Sequence, residues 1–228
     1  MGRILALPRP DAVIFDFDGV IVDTEPLHYE AFRSVLWPLG IGFTWQEYVD
    51  TYMGFDDRDA FREAFRAHGR AFDDLRMAQL VAAKSKVFLA AVRTGVSAYP
   101  GAVPLIRSLH AARIPLAVCS GALRSDILPV LERLGLTACF PLIVTADDVR
   151  KSKPDPESYR LAFRKLALLH PSRISSPDRC LVVEDTPAGI EAAKGAGMTV
   201  IAVTNSYPGE ALALADSIAG SLEDVRIP

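Results

Sequence analysis

Five short apolar runs constrain the fold of this chain more than any other feature: Ala12–Phe15, Leu116–Cys119, Leu142–Thr145, Cys180–Val183 and Thr199–Val203. Each is rich in aliphatic and β-branched side chains and is too short for a helix. Beyond Tyr99-Pro100-Gly101 the runs alternate with stretches of helical periodicity: Ala102–Ala112, Arg124–Leu134, Glu157–Leu169 and a segment from Pro187 to about Ala196. Strands that read as unbroken apolar runs are buried on both faces, as in parallel sheets. Their alternation with helices requires right-handed crossovers and layered packing. The expected class is α/β with a mostly parallel sheet.

The first and second runs are separated differently. Pro26 suits the first turn of a helix, and from Leu27 to about Gly95 apolar residues recur at three- and four-residue intervals, as in Ala31, Val35 and Leu39. Pro38-Leu39-Gly40 and Gly54-Phe55-Asp56-Asp57 read as turns between helices. The expected organisation is therefore a core of residues 1–25 and 98–228 interrupted by a helical insertion, 26–97.

Chemistry-bearing residues follow the apolar runs. Asp16 and Asp18, spaced by two, follow the first; on an extended backbone such side chains share a side. They are placed to share a metal ion or to divide acid–base work. Ser120 follows the second run, Lys153 lies in the charged loop after the third, and Glu184-Asp185 close the fourth. In open α/β sheets, ligands bind beyond the carboxyl ends of the strands. Carboxylates without suitable Cys or His partners favour a hard cation, Mg²⁺ above all. A lysine and a hydroxyl beside them suit phosphoryl oxygens.

Four segments carry a resemblance. Asp16 to Glu25, Val118-Cys119-Ser120-Gly121, Lys153-Pro154-Asp155-Pro156 and Val183-Glu184-Asp185-Thr186-Pro187-Ala188-Gly189-Ile190 resemble, in order, the motifs of the haloacid dehalogenase superfamily, in its branch with a helical cap. The resemblance implies a Rossmann-like core with an all-helical cap. It also implies an in-line attack by Asp16 on phosphorus and acid–base work by Asp18. Ser120 and the backbone near Gly121 and Ala122 would hold phosphoryl oxygens, and Lys153 would neutralise charge. Mg²⁺ would be held by Asp16, Asp18, Asp185 and, directly or at one remove, Glu184. Dehalogenase and phosphonatase members lack the second aspartate, so Asp18 favours phosphate esters. Arg58, Lys84 and His28 resemble cap and hinge residues of β-phosphoglucomutase-like members and are expected to contact substrate. The implied activity is hydrolysis of a small phosphorylated metabolite, a sugar phosphate. A phosphomutase is the alternative, and a non-catalytic binding protein the remote one.

Composition excludes other classes. Half of the 228 residues are hydrophobic, 23% are charged, and the net charge is −3, so no basic field for nucleic acid or membrane is expected. Met1–Pro10 lacks the long apolar core of a signal peptide, and no stretch approaches the ~20 apolar residues of a bilayer span. Cys119, Cys139 and Cys180 lack metal-ligand spacing and are expected to be buried free thiols in a reducing, cytoplasmic setting.

Overall fold

The structure, a computed structural model, describes residues 4–53 and 55–228. Six strands form its central sheet: β1 (Ala12–Phe15), β2 (Leu116–Cys119), β3 (Leu142–Val144), β4 (Cys180–Glu184), β5 (Thr199–Val203) and β6 (Ser217–Ala219). Their spatial order is β3-β2-β1-β4-β5-β6 and every pairing is parallel. The five apolar runs are the first five of these strands. Residues of β1 alternate between two cores: Val13 and Phe15 join one, Ala12 and Ile14 the other. Burial on both faces explains why the run is apolar without alternation.

Helices α4 (Ala102–Ala111) and α5 (Arg124–Leu134) cover one face. Helices α6 (Glu157–Leu169) and α7 (Pro187–Gly195) cover the other through Tyr159, Ala162, Leu166, Ile190 and Ala193. Between β1 and β2 the chain inserts α1 (Glu25–Leu36), α2 (Asp57–Ala67) and α3 (Asp74–Thr94). The insertion has its own apolar cluster, in which Phe32, Leu36, Phe61, Phe65, Met77 and Leu80 meet Tyr48 and Tyr52. Phe61 is fully enclosed, and truncating such a side chain to alanine costs about 3–5 kcal/mol. Aspartates cap two of these helices: Asp56 accepts from the Asp59 N–H at 2.8 Å and Asp73 from that of Arg76 at 2.7 Å.

Two features were not anticipated from the sequence. Val22–Asp23 and Ser97–Ala98 pair as short antiparallel strands at the two ends of the insertion, outside its helical stretch. Strand β6 and a parallel pair, Leu5–Ala6 with Val225–Arg226, carry no recognisable apolar run. All are two or three residues long, and such strands depend on a partner more than on their own propensity. Gly54, expected to open a turn, lies outside the described residues.

Candidate active site

The strand order reverses direction at β1 and β4, and this crevice is where ligands bind in doubly wound sheets. Register makes the site. Phe15 pairs with Val118 on one side and Val183 on the other, so Asp16, Ser120 and Glu184 emerge at the same edge. The Asp16 N–H still donates to the Val183 carbonyl at 2.9 Å, which fixes the first carboxylate to the sheet.

Lys153 comes from the loop after β3. Its Nζ lies 2.6 Å from Asp16 Oδ1 and 2.6 Å from Glu184 Oε1, and donates to the Cys119 carbonyl at 3.2 Å. Glu184 Oε1 also accepts from the Tyr159 hydroxyl at 2.7 Å, while Oε2 accepts from the Asp185 and Thr186 N–H groups and the Thr186 hydroxyl. Both oxygens of Glu184 are thus occupied, and it fixes Lys153 and the turn into α7. Gly189 is required there, because a Cβ would stand 1.8 Å from Glu184 Oε1.

Asp18 turns toward α1. Its Oδ1 accepts from the Thr24 hydroxyl and lies 3.1 Å from His28 Nε2; its Oδ2 is 3.4 Å from Ser120 Oγ. Burial alone would raise this carboxyl, but the charge and hydrogen bond of His28 and the bond from Thr24 hold it below the usual range. Ala122 donates its N–H to Ser120 Oγ at 2.9 Å, and Gly121 stands beside it in the cavity wall.

A cation fits. Oxygen atoms of Asp16, Glu184 and Asp185 lie within 4.8 Å of one another, and Asp185 Oδ1 is buried without a hydrogen-bond partner. The other oxygen of Asp185 accepts from Ser206. Three buried carboxylates face one ammonium. Burial pushes Asp16 up to about 8, against the pull of Lys153 and with the help of Glu184; burial, Glu184 and Asp16 push Asp185 well up. An all-oxygen set with surplus negative charge is the environment of a hard divalent ion. Gly19, at φ +78°, lets the loop close over this set; a Cβ there would lie 1.8 Å from Asp185 Oδ2.

The chain matches the family model for haloacid dehalogenase-like hydrolases over residues 13–203. It belongs to that family. Within the family it is 32% identical to the validoxylamine A 7'-phosphate phosphatase of Streptomyces hygroscopicus subsp. limoneus, over 94% of this chain and 95% of that one. It is also 32% identical to a phosphorylated carbohydrates phosphatase of Thermotoga maritima, over 92% and 93% of the two chains. The crystal structure of CbbY from Rhodobacter sphaeroides in complex with phosphate superposes with a TM-score of 0.82 at 29% identity, covering 93% of this chain and 95% of that one.

This haloacid dehalogenase-like hydrolase gathers most of the residues singled out in the sequence. Asp16, Asp18, Ser120, Gly121, Ala122, Lys153 and His28 line one cavity, whose empty space including its mouth is about 540 Å³. Two of the residues expected to contact substrate do not line this cavity. Lys84 is completely enclosed, 2.7 Å from Asp57 Oδ1 and 2.6 Å from His28 Nδ1. Arg58 lies on the outer side, 3.9 Å from Asp147, in a separate groove with Arg62 and Lys86. Consecutive helical residues point about 100° apart, so with Asp57 in the cavity its neighbour Arg58 faces elsewhere.

Glu25, Phe32, Tyr48, Phe55, Asp57 and Thr186 also line the cavity. Glu25 accepts from the Tyr48 hydroxyl at 2.5 Å. Sequence reasoning gave them no role, although Glu25 and Thr186 lie within the recognised motifs and Asp57 stands next to the arginine favoured instead. The three cysteines are buried and unpaired by disulfides. Among the described residues, no helix is long and apolar enough to cross a membrane.

Proposed function

We propose that this protein is a Mg²⁺-dependent phosphatase acting on a small phosphorylated metabolite of the sugar-phosphate class. The carrying observation is that Asp16, anchored to the sheet and paired to Lys153 at 2.6 Å, shares one cavity with Asp18 and Ser120. Phosphatases of phosphorylated carbohydrates among its relatives support the substrate class.

In this reading an Asp16 carboxylate oxygen attacks phosphorus, and the bond from phosphorus to the ester oxygen breaks. Asp18 gives its proton to that leaving oxygen. Thr24 and His28 hold Asp18 as the carboxylate when no phosphate is near; an approaching phosphate anion raises its pKa, so that it carries the proton to be donated. In the second half Asp18 takes a proton from water, the water oxygen bonds to phosphorus, and the Asp16–phosphorus bond breaks to give inorganic phosphate. Ser120 and Lys153 hold phosphoryl oxygens and balance their charge. Asp16, Asp185 and the Asp18 carbonyl would hold Mg²⁺, with Glu184 fixing Lys153 behind them. Mg²⁺ when bound supplies charge neutralisation and polarisation of the phosphoryl group.

A ³¹P NMR time course with Mg²⁺ tests this on sugar phosphates, including β-glucose 1-phosphate with a trace of glucose 1,6-bisphosphate. Growth of inorganic phosphate is expected. Conversion of the 1-phosphate to the 6-phosphate without inorganic phosphate would replace the phosphatase with a mutase.

A further inference from the structure

The wall opposite the phosphate-facing residues comes from the insertion and its entry: Glu25, His28, Phe32, Tyr48, Phe55 and Asp57. Among the described residues, no lysine or arginine of the insertion lines this cavity. Lys84 stands behind the wall. It is 0% exposed, its ammonium sits 5.0 and 5.2 Å from the Phe32 and Phe88 ring centres, and its charge is balanced by Asp57 Oδ1.

Asp57 is 7% exposed, and only one of its oxygens is engaged. Its Oδ2 is buried and has no hydrogen-bond partner. A buried carboxylate oxygen without a donor is costly, so a cavity residue in this state has a place for a donor from a ligand. Glu25 adds a second carboxyl to the same wall, which Tyr48 partly satisfies. Among the described residues, a second phosphate placed here would meet two acidic side chains and no lysine or arginine, and His28 of the same wall already faces Asp18 at 3.1 Å. A hydroxyl group would meet an acceptor.

We propose that this wall is a hydroxyl subsite in which Asp57 determines specificity. The substrate is then a monophosphate ester whose far end is an uncharged sugar or polyol, and bisphosphates are disfavoured. This rests on the phosphatase reading of the same cavity and narrows it.

The test measures phosphate release with Mg²⁺ from acetyl phosphate, from a panel of hexose, pentose and hexitol monophosphates, and from the matching bisphosphates. Wild type should prefer its best monophosphate over the matching bisphosphate by about tenfold or more in kcat/KM, given the penalty for juxtaposed like charges. Asp57→Asn removes the charge that balances Lys84. It should raise KM for the monophosphate and shrink that preference by about tenfold. A wild type that favours bisphosphates, or a folded Asp57→Asn with an unchanged ratio, overturns the subsite alone. No phosphate from any ester, acetyl phosphate included, overturns the phosphatase reading and the subsite with it. If Asp57→Asn does not fold, the wild-type ratio decides by itself.

Discussion

Lys153 lies 137 residues from Asp16 in sequence and 2.6 Å from it in space, Nζ to Oδ1. Both side chains are about nine-tenths buried, and the same ammonium holds Glu184. Lys153→Met keeps the length of the side chain and removes the charge. It leaves buried carboxylates without their cation, a change that costs roughly 3–5 kcal/mol. Urea unfolding without divalent cations should show that loss, and phosphate release should fall by orders of magnitude. A Lys153→Met protein with wild-type turnover would remove Lys153 from the chemistry.

The carboxyl cluster predicts an unusual response to pH. The folded state raises Asp16 to about 8, above its ordinary value near 4, so between these limits the folded chain binds more protons than the unfolded one. Cation-free stability from this group is therefore fullest at low pH and falls as pH rises toward 8. Mg²⁺ competes with those protons, so the rise in melting temperature on adding Mg²⁺ should be larger at pH 8 than at pH 6. Melting curves with EDTA and with Mg²⁺ across that range decide it. An Mg²⁺ effect equal at both pH values would contradict the shared, proton-linked site.

Lys84 and Arg58 should behave in opposite ways. Lys84 is enclosed and paired with Asp57 at 2.7 Å, so Lys84→Met strands a buried carboxylate and should destabilise by about 3–5 kcal/mol. Arg58 is 40% exposed and 3.9 Å from Asp147, so Arg58→Ala should cost under about 1 kcal/mol and barely change kcat/KM. Chemical denaturation of both variants, with assays on one monophosphate, separates them. A crippled Arg58→Ala enzyme would mean that this arginine reaches substrate after all.

The contrast between these two residues shows what a sequence of this kind discloses. Strands β1 to β5 were legible because burial on both faces makes each an unbroken apolar run, and the site loops were legible because each chemical group follows such a run. Asp16, Ser120 and Glu184 sit side by side because parallel register carries strand ends to one edge. Lys84 was not legible as a buried cation. Its partners Asp57 and His28 come from two other helices, and only the packing of α1, α2 and α3 brings the three together. Tyr159 and Ser206, which hold Glu184 and Asp185, have no local signature for the same reason. The short strands at Val22–Asp23 and Ser97–Ala98 exist only as a pair, so neither stretch announces itself alone.

Whether Asp16 carries the phosphoryl group is tested most directly by mass spectrometry of acid-quenched protein after brief exposure to acetyl phosphate and Mg²⁺. Asp18→Asn, which would lack the group proposed to activate water, should accumulate one phosphoryl group on the peptide containing Asp16. Asp16→Asn should show none and should release no phosphate while remaining folded. A folded Asp16→Asn protein that turns over at the wild-type rate would contradict the covalent mechanism.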